Sequence, residues 1–225
     1  MSVPVSTLVP FGRIHGRRIG LFGGSFNPPH GGHLAVAEAA LRRLKLDEIW
    51  WLVATRNPLK DPREVSDLPQ RLAQTRALAR NPRFRVLGLE RRAGTLYTAD
   101  LLDALGPVLE LAAFVWIMGA DSFATLHTWG RWRGIMRRLP MAVLDRPGWR
   151  LKALASPAAR AFARARLRED EAPLLADTAP PAWVFLTMPL RAESSTHLRA
   201  RAQDGSLRRR PHDEISLASM ARRGA

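Results

Sequence analysis

Cysteine is absent from the 225-residue sequence, and this absence excludes disulfide bonds and thiolate metal ligands. No apolar run approaches the roughly 20 residues that a membrane-spanning helix needs. The first ten residues lack the basic start and apolar block of a secretory signal. Lysine is scarce as well, because Lys45, Lys60 and Lys152 are the three lysines among 35 basic residues. These absences predict a cytoplasmic protein with no membrane segment.

The formal net charge is nevertheless +15, because the remaining 32 basic residues (35 minus the three lysines) are arginines. A strongly positive chain attracts anions of every kind, including nucleotides and nucleic acid. The arginines are spread along the sequence rather than held in one block, so we expect most of them on a solvated surface. A nucleic-acid-binding protein is the alternative of a different class, and it requires basic and aromatic residues on one surface. Assembly into a homo-oligomer is a separate expectation, which the composition does not decide.

Short apolar runs alternate with segments of helical spacing. Strands are predicted at 18–23, 49–54, 84–89, 113–118, 141–144 and 183–188, and helices at 32–44, 69–80, 98–105, 150–168 and from 195 onward. This alternation predicts the α/β class, with a Rossmann-like, doubly wound parallel sheet and helices on both faces in a single domain. We expect that domain at 18–204, after a flexible arm at 1–17 and before a polar tail at 205–225.

Residues 23–34, GGSFNPPHGGHL, follow a predicted strand and open a predicted helix. Glycine pairs at 23–24 and 31–32 permit close approach of a ligand and leave the helix start bare, so its N–H groups can face an anion. His30 and His33 are three residues apart, share one face of the first turn and can donate hydrogen bonds to phosphate oxygens. A plain turn and a zinc site are the alternatives, but glycines on both sides favour phosphate.

A second loop, RAESSTHLR, occupies residues 191–199 after the last predicted strand. Its hydroxyl residues suit a helix N-terminus, and Arg199 lies one turn beyond Ser195, so both can reach one anion. Alone, a serine cap followed by an arginine is commonly structural. The segment gains significance because the predicted sheet would place it at the same edge as the first loop.

Together the two segments resemble the HxGH nucleotidyltransferases, whose motifs are G-G-T-F-D-P-x-H-x-G-H and I-S-S-T-x-I-R. Within that superfamily the chain is most similar to the bacterial nicotinate-nucleotide adenylyltransferase family. The similarity runs from about residue 20 to 199 and includes NPLK at 57–60, LYTADLL at 96–102, WIMGADSFATLHTWGRW at 116–132 and DRPG at 145–148. Five positions depart from the family pattern: Ser25 and Leu101 each replace Thr, Asn27 replaces Asp, Leu59 stands where many members have His, and Glu193 replaces Ile.

The resemblance implies that ATP and nicotinate mononucleotide react to give deamido-NAD and pyrophosphate, by direct attack on the ATP α-phosphate. It implies catalytic roles for His30, His33 and Arg199. It implies ATP contacts by Gly23, Gly24, Ser25, Phe26, Gly32, Gly119, Asp121, Ser194, Ser195 and Thr196. Mg²⁺ is expected with ATP, and no metal ligands are assigned to the protein.

For nicotinate mononucleotide the resemblance implies contacts by Lys60, Tyr97, Thr98, Trp129 and Arg146. Trp129 would stack on the nicotinate ring, although packing in the core is the alternative. Asp121 has the alternative role of a helix cap. Related adenylyltransferases acting on nicotinamide mononucleotide or phosphopantetheine remain open as the same-class alternative.

Overall fold

The computed structural model describes residues 14–55 and 66–189, which form one seven-stranded sheet. All strand pairs are parallel, in the order β3-β2-β1-β4-β5-β7-β6. The strands are β1 Arg18–Gly24, β2 Glu48–Val53, β3 Phe84–Leu87, β4 Ala113–Gly119, β5 Met141–Leu144, β6 Arg166–Leu167 and β7 Trp183–Leu186. The predicted α/β class and parallel sheet are confirmed.

Helices connect the strands and pack against them. The α-helices are α1 Gly31–Arg43, α2 Leu68–Leu78, α3 Leu89–Ala93, α4 Thr98–Ala104, α5 Gly106–Leu109, α6 Ala120–Thr125, α7 Trp132–Arg138, α8 Arg150–Leu154 and α9 Pro157–Ala161. Short 3₁₀ helices occupy Leu126–Thr128, Ala163–Ala165 and Glu169–Asp177. Among the described residues no helix is both long and apolar enough to cross a membrane.

Side chains that alternate along each strand build two separate cores on the two faces of the sheet. In β4, Trp116 and Met118 belong to one core, whereas Val115 and Ile117 belong to the other. Helices α1 and α2 contribute to the second core, and α4 to α9 contribute to the first. Helices therefore cover both faces, as predicted.

The strand order reverses direction at β1. The chain runs outward from β1 to β2 and β3, then returns to place β4 on the other side of β1. Gly24 at the end of β1 pairs with Val53, and Gly119 at the end of β4 pairs with Leu144. Loops leaving four strands therefore meet at one edge, where doubly wound sheets bind their ligands.

The predicted helix at 150–168 is wrong. It is divided into α8, α9, a 3₁₀ turn and the short strand β6. Pro157 lacks the N–H that would continue α8, and Ser156 Oγ instead accepts a hydrogen bond from Ala159 N at 3.2 Å. The Ala- and Arg-rich composition of the segment concealed this break.

The other differences are smaller. Helices α3, α6 and α7 were missed, and α5 begins where Gly106 was expected to end the preceding helix. The predicted strands end within two residues of the observed ones. Part of the predicted flexible arm is packed, because Ile14 is only 6% exposed and lies in the first core. The loop at 191–199 and the tail at 205–225 lie outside the described residues.

Candidate active site

A cavity of about 520 Å³ opens at the carboxyl edge of the sheet. Its walls come from the segments that follow β1, β2, β4 and β5, together with α3 and the start of α4. This is the edge at which the sequence placed the substrate site. The cavity is the candidate active site, and its three walls carry different chemistry.

The first wall is the loop after β1. Gly23 lies against the indole of Trp116, so that a Cβ at this position would stand 2.8 Å from Trp116 Cζ2. At Gly24 a Cβ would stand 2.9 Å from the ring of Phe26, which is itself 2% exposed. The two glycines thus let the chain pass between buried aromatic rings and still border the cavity.

His30 and His33 form a reciprocal cap at the start of α1. His30 is the N-cap, and its Nδ1 accepts a hydrogen bond from Gly32 N at 3.1 Å. His33 Nδ1 in turn accepts from His30 N at 3.3 Å. This arrangement is the capping box, here made by two imidazoles. It fixes both rings, whose centroids are 3.8 Å apart.

The cap also decides which nitrogen of each ring carries the proton. A neutral imidazole has one donor and one acceptor nitrogen, and both Nδ1 atoms already accept. Hydrogen-bond geometry therefore assigns the N–H to Nε2 in His30 and His33. His33 borders the cavity, while His30 is 5% exposed and lies against its ring. The Gly32 N–H, expected to face an anion directly, instead orients His30.

The second wall follows β4 and β5. A Cβ on Gly119 would overlap Asp121 Oδ1 and stand 3.2 Å from Arg146 Cγ, so only glycine leaves both side chains in place. Arg146 Nε lies 3.9 Å from Asp121 Oδ1, and both side chains border the cavity. The buried Asp145 accepts a hydrogen bond from Arg146 N at 2.9 Å and pairs with Arg150, which fixes the start of this loop. Asp121 is in the first turn of α6, whose N-cap is Gly119, so the alternative of Asp121 as a cap is wrong.

The third wall and the mouth are more apolar. Tyr97 is 53% exposed at the N-cap of α4, and Thr98 follows it at the first helical position. Trp129 is half-buried: it packs against the first core and also borders the cavity. Its two alternatives, core packing and a flat face for a ligand, are compatible in this position. Trp132 packs instead near Phe162, with ring centroids 6.1 Å apart.

Two charged residues near this cavity were not predicted from the sequence. Glu90, in α3, borders the cavity, and burial raises the pKa of its carboxyl to about 7. A hydrogen bond from Thr55 N at 2.7 Å and the nearby Arg71 guanidinium oppose that rise. Arg71, in α2, is 1% exposed and binds backbone carbonyls of the loops around the cavity. A lone Glu after a strand and one Arg among 32 carry no distinguishing pattern.

The structure brings most of the predicted site residues together. The following border the cavity: Gly23, Gly24, Ser25, Phe26, His33, Tyr97, Thr98, Gly119, Asp121, Trp129 and Arg146. Outside the described residues lie Lys60, Ser194, Ser195, Thr196 and Arg199. Asn27, which departs from the family pattern, is 5% exposed, and its Oδ1 accepts a hydrogen bond from Ser66 N at 3.1 Å. The role of each residue toward a substrate stays a prediction.

Comparisons with known proteins agree on one group. A family model described as cytidylyltransferase-like matches residues 21–201, more than half of the chain. A probable nicotinate-nucleotide adenylyltransferase of Methylorubrum extorquens (strain PA1) is 54% identical over 184 residues, covering 82% of this chain and 100% of the relative. A protein of the same name from Brucella suis biovar 1 (strain 1330) is 50% identical over 181 residues, covering 80% of this chain and 93% of the relative.

Solved structures show a similar fold. Plasmodium falciparum nicotinic acid mononucleotide adenylyltransferase complexed with NaAD matches with a TM-score of 0.62 and 17% identity, over 82% of this chain and 83% of that chain. The same enzyme complexed with APC matches with a TM-score of 0.60 and 16% identity, over the same shares. At such low identity these matches support the architecture and not the residue roles.

Proposed function

Because the chain belongs to the nicotinate-nucleotide adenylyltransferases of the cytidylyltransferase-like family, we propose that it joins ATP and nicotinate mononucleotide to give deamido-NAD and pyrophosphate. The observation that carries this proposal is the imidazole cap of His30 and His33 at the β1 loop. It supplies fixed N–H donors at the sheet edge where such folds bind nucleotides. The identity of 54% to a relative named for this activity supports the substrate class.

In the proposed reaction an oxygen of the mononucleotide phosphate attacks the α-phosphorus of ATP. A new P–O bond forms there, and the bond from the α-phosphorus to the oxygen that bridges to the β-phosphorus breaks. The electron pair of that bond leaves with pyrophosphate. No covalent intermediate with the protein is needed, so catalysis depends on positioning and on stabilising charge at the α-phosphate.

His33 would supply part of that stabilisation. His33 borders the cavity, and the orientation of its ring is held by the hydrogen bond that Nδ1 accepts from His30 N. A donor fixed before the reaction loses little free energy to reorganisation when charge develops on the phosphate oxygens. His30 would support the ring of His33 and complete the donor pair, as the resemblance implies.

The opposite walls would hold the two substrates. Asp121, next to the glycine that ends β4, would contact the adenosine ribose. Arg146, with its side chain 16% exposed beside the cavity, would contact the mononucleotide phosphate. Tyr97, Thr98 and Trp129 would line the nicotinate site near the mouth. Mg²⁺ would enter as part of the Mg–ATP substrate, bound mainly through the phosphates.

A pyrophosphate-release assay with Mg–ATP tests this proposal. It has separate arms for nicotinate mononucleotide, nicotinamide mononucleotide and phosphopantetheine, with a control that lacks the acceptor. We expect kcat/KM for the acid mononucleotide to exceed that of either other acceptor by about tenfold or more, a discrimination of about 1.4 kcal/mol. A preference for the amide or for phosphopantetheine would support the same-class alternative instead. Release with no acceptor would contradict both.

The proposal includes the cytoplasmic location expected from the sequence. The nucleic-acid-binding alternative would require the arginines to make a basic surface that binds nucleic acid with steep salt dependence. A binding measurement at two salt concentrations tests it separately. Assembly into a homo-oligomer stays a prediction, which size-exclusion chromatography with light scattering can check.

A further inference from the structure

Arg71 is buried where a charged side chain is costly. It projects from α2, is 1% exposed, and burial lowers the pKa of its guanidinium, although Glu90 and Asp67 raise it. Arginine keeps its charge in proteins even when it is buried. A buried charge is retained only where hydrogen bonds or other charges compensate for its lost hydration. The partners of Arg71 therefore indicate what it is for.

Those partners are four backbone carbonyls from three separate segments. Arg71 Nη1 donates to Ser25 O at 2.8 Å and to Ala54 O at 2.6 Å. Its Nη2 donates to Thr55 O at 2.9 Å, and its Nε donates to Ser66 O at 2.8 Å. One planar group thus joins the loop after β1, the loop after β2 and the segment before α2.

Glu90 holds the same loop from the cavity side. Its Oε2 accepts a hydrogen bond from Thr55 N at 2.7 Å, while Arg71 donates to the carbonyl of the same residue. Both polar groups of the Thr55 backbone are therefore held by side chains, the N–H by Glu90 and the carbonyl by Arg71. Glu90 and Ala54 both border the cavity, so this arrangement forms part of its wall.

We propose that Arg71 and Glu90, together called the loop clamp, are positioning residues that fix the loop after β1 relative to the loop after β2 for nucleotidyl transfer. The proposal rests on the proposed function, and it assigns to these two residues a role that none of the sequence motifs indicates. Neither needs to touch the reacting atoms. The clamp acts through Ser25, which lies in the loop after β1 two residues from Gly23, and through the backbone of Ala54 and Thr55.

The consequence for catalysis follows from the sensitivity of transfer to geometry. The loop after β1 leads into the imidazole cap that would supply donors for the α-phosphate, and the loop after β2 borders the same cavity through Ala54. A misplacement of about 1 Å between such groups can cost about 100-fold in rate. Loss of the clamp should therefore lower kcat more than it weakens ground-state binding of ATP.

Arg71→Lys is the variant that tests the clamp, because a lysine ammonium cannot present a planar fork to four carbonyls. Arg76→Lys is the matched control, since Arg76 is exposed on the same helix. Steady-state pyrophosphate release gives kcat and KM for both, at a temperature where circular dichroism shows full folding. Hydrogen exchange of peptides that span 22–27 and 52–55 reports the two loops directly.

For Arg71→Lys we expect kcat to fall about 10- to 100-fold, KM for ATP to stay within about threefold, and exchange to increase in those two segments. Arg76→Lys should match the wild type in all three. Wild-type kcat in folded Arg71→Lys, or a loss that disappears after correction for the unfolded fraction, would overturn the proposal. Unchanged exchange would overturn it as well.

The design also separates this proposal from the proposed function. If the wild type releases no pyrophosphate, the proposed function fails, while exchange in the two loops still tests the clamp. If Arg71→Lys does not fold, Glu90→Asp replaces it, because a side chain one methylene shorter cannot keep the hydrogen bond to Thr55 N. Glu90→Asp should reproduce the fall in kcat and the increase in hydrogen exchange at residues 52–55. Wild-type values for both would refute the clamp.

Discussion

Replacing Glu90 by glutamine should stabilise the folded protein, and the gain should grow as the pH rises. Burial raises the pKa of this carboxyl from 4.5 to about 7, with the opposing attraction of Arg71 already included. The folded state therefore holds the proton more tightly than the unfolded state. The contribution of Glu90 to stability is full below pH 4.5 and is lost as the pH rises through 7. Glutamine stays neutral, and its Oε1 can still accept from Thr55 N.

The magnitude follows from the size of the shift. A difference of about 2.5 pKa units corresponds to roughly 3 kcal/mol, at about 1.4 kcal/mol per unit. Glu90→Gln should therefore exceed the wild type in free energy of unfolding by up to about 3 kcal/mol at pH 8. At pH 5 the difference should be about 1 kcal/mol or less. Urea denaturation at pH 5, 6, 7 and 8 measures both proteins, and other titrating groups cancel in the difference.

The control is Glu110→Gln, which changes an exposed carboxylate away from the cavity. Its free energy of unfolding should stay within about 0.5 kcal/mol of the wild type, as for most surface changes. A difference between Glu90→Gln and wild type that is constant across this pH range would refute the reasoning. So would a variant that is less stable than the wild type at pH 8, because the ionised carboxylate would then be favoured by the fold.

Three further predictions concern the walls of the cavity. His33→Ala should lower kcat by about 100-fold or more with KM for ATP within about threefold, while the exposed His15→Ala should leave both unchanged in the pyrophosphate-release assay. Gly23→Ala should lower the free energy of unfolding by about 1–3 kcal/mol in urea, since the added methyl group meets the buried Trp116 ring. Trp129→Leu should raise KM for the mononucleotide about tenfold by removing a flat aromatic face, and an unchanged KM would assign Trp129 to core packing alone.

The sheet was predictable because its strands are buried on both faces. The run that became β4 is continuously apolar, the run that became β1 is apolar after Arg18, and both end in glycine, a pattern typical of central parallel strands. Strand β6 has two residues, Arg166 and Leu167, and one hydrogen-bonded neighbour, so the sequence carries no comparable signal. The break before α9 was readable in principle from Ser156 and Pro157, which are a cap and a first-turn proline.

The residues of the candidate site also differ in whether a local sequence pattern reveals them. Gly23, His33 and Trp129 lie in local motifs, and a motif is visible in the sequence without knowledge of the fold. Arg71 and Glu90 act over 46 residues to Ser25 and 35 residues to Thr55, respectively. Contacts at such separations depend on the strand order, which a single sequence does not specify.

Backbone chemistry explains why such long-range side chains are needed at this edge. Within the sheet, backbone N–H and C=O groups form hydrogen bonds with the neighbouring strands. The carbonyls of Ser25, Ala54 and Thr55 lie past the ends of β1 and β2 and need other donors. Buried carbonyls without donors are costly, and a guanidinium offers five N–H groups in one plane. A single arginine can therefore satisfy several of them and set their spacing at once. The strands bring the loops to the same edge, and Arg71 determines the spacing between them.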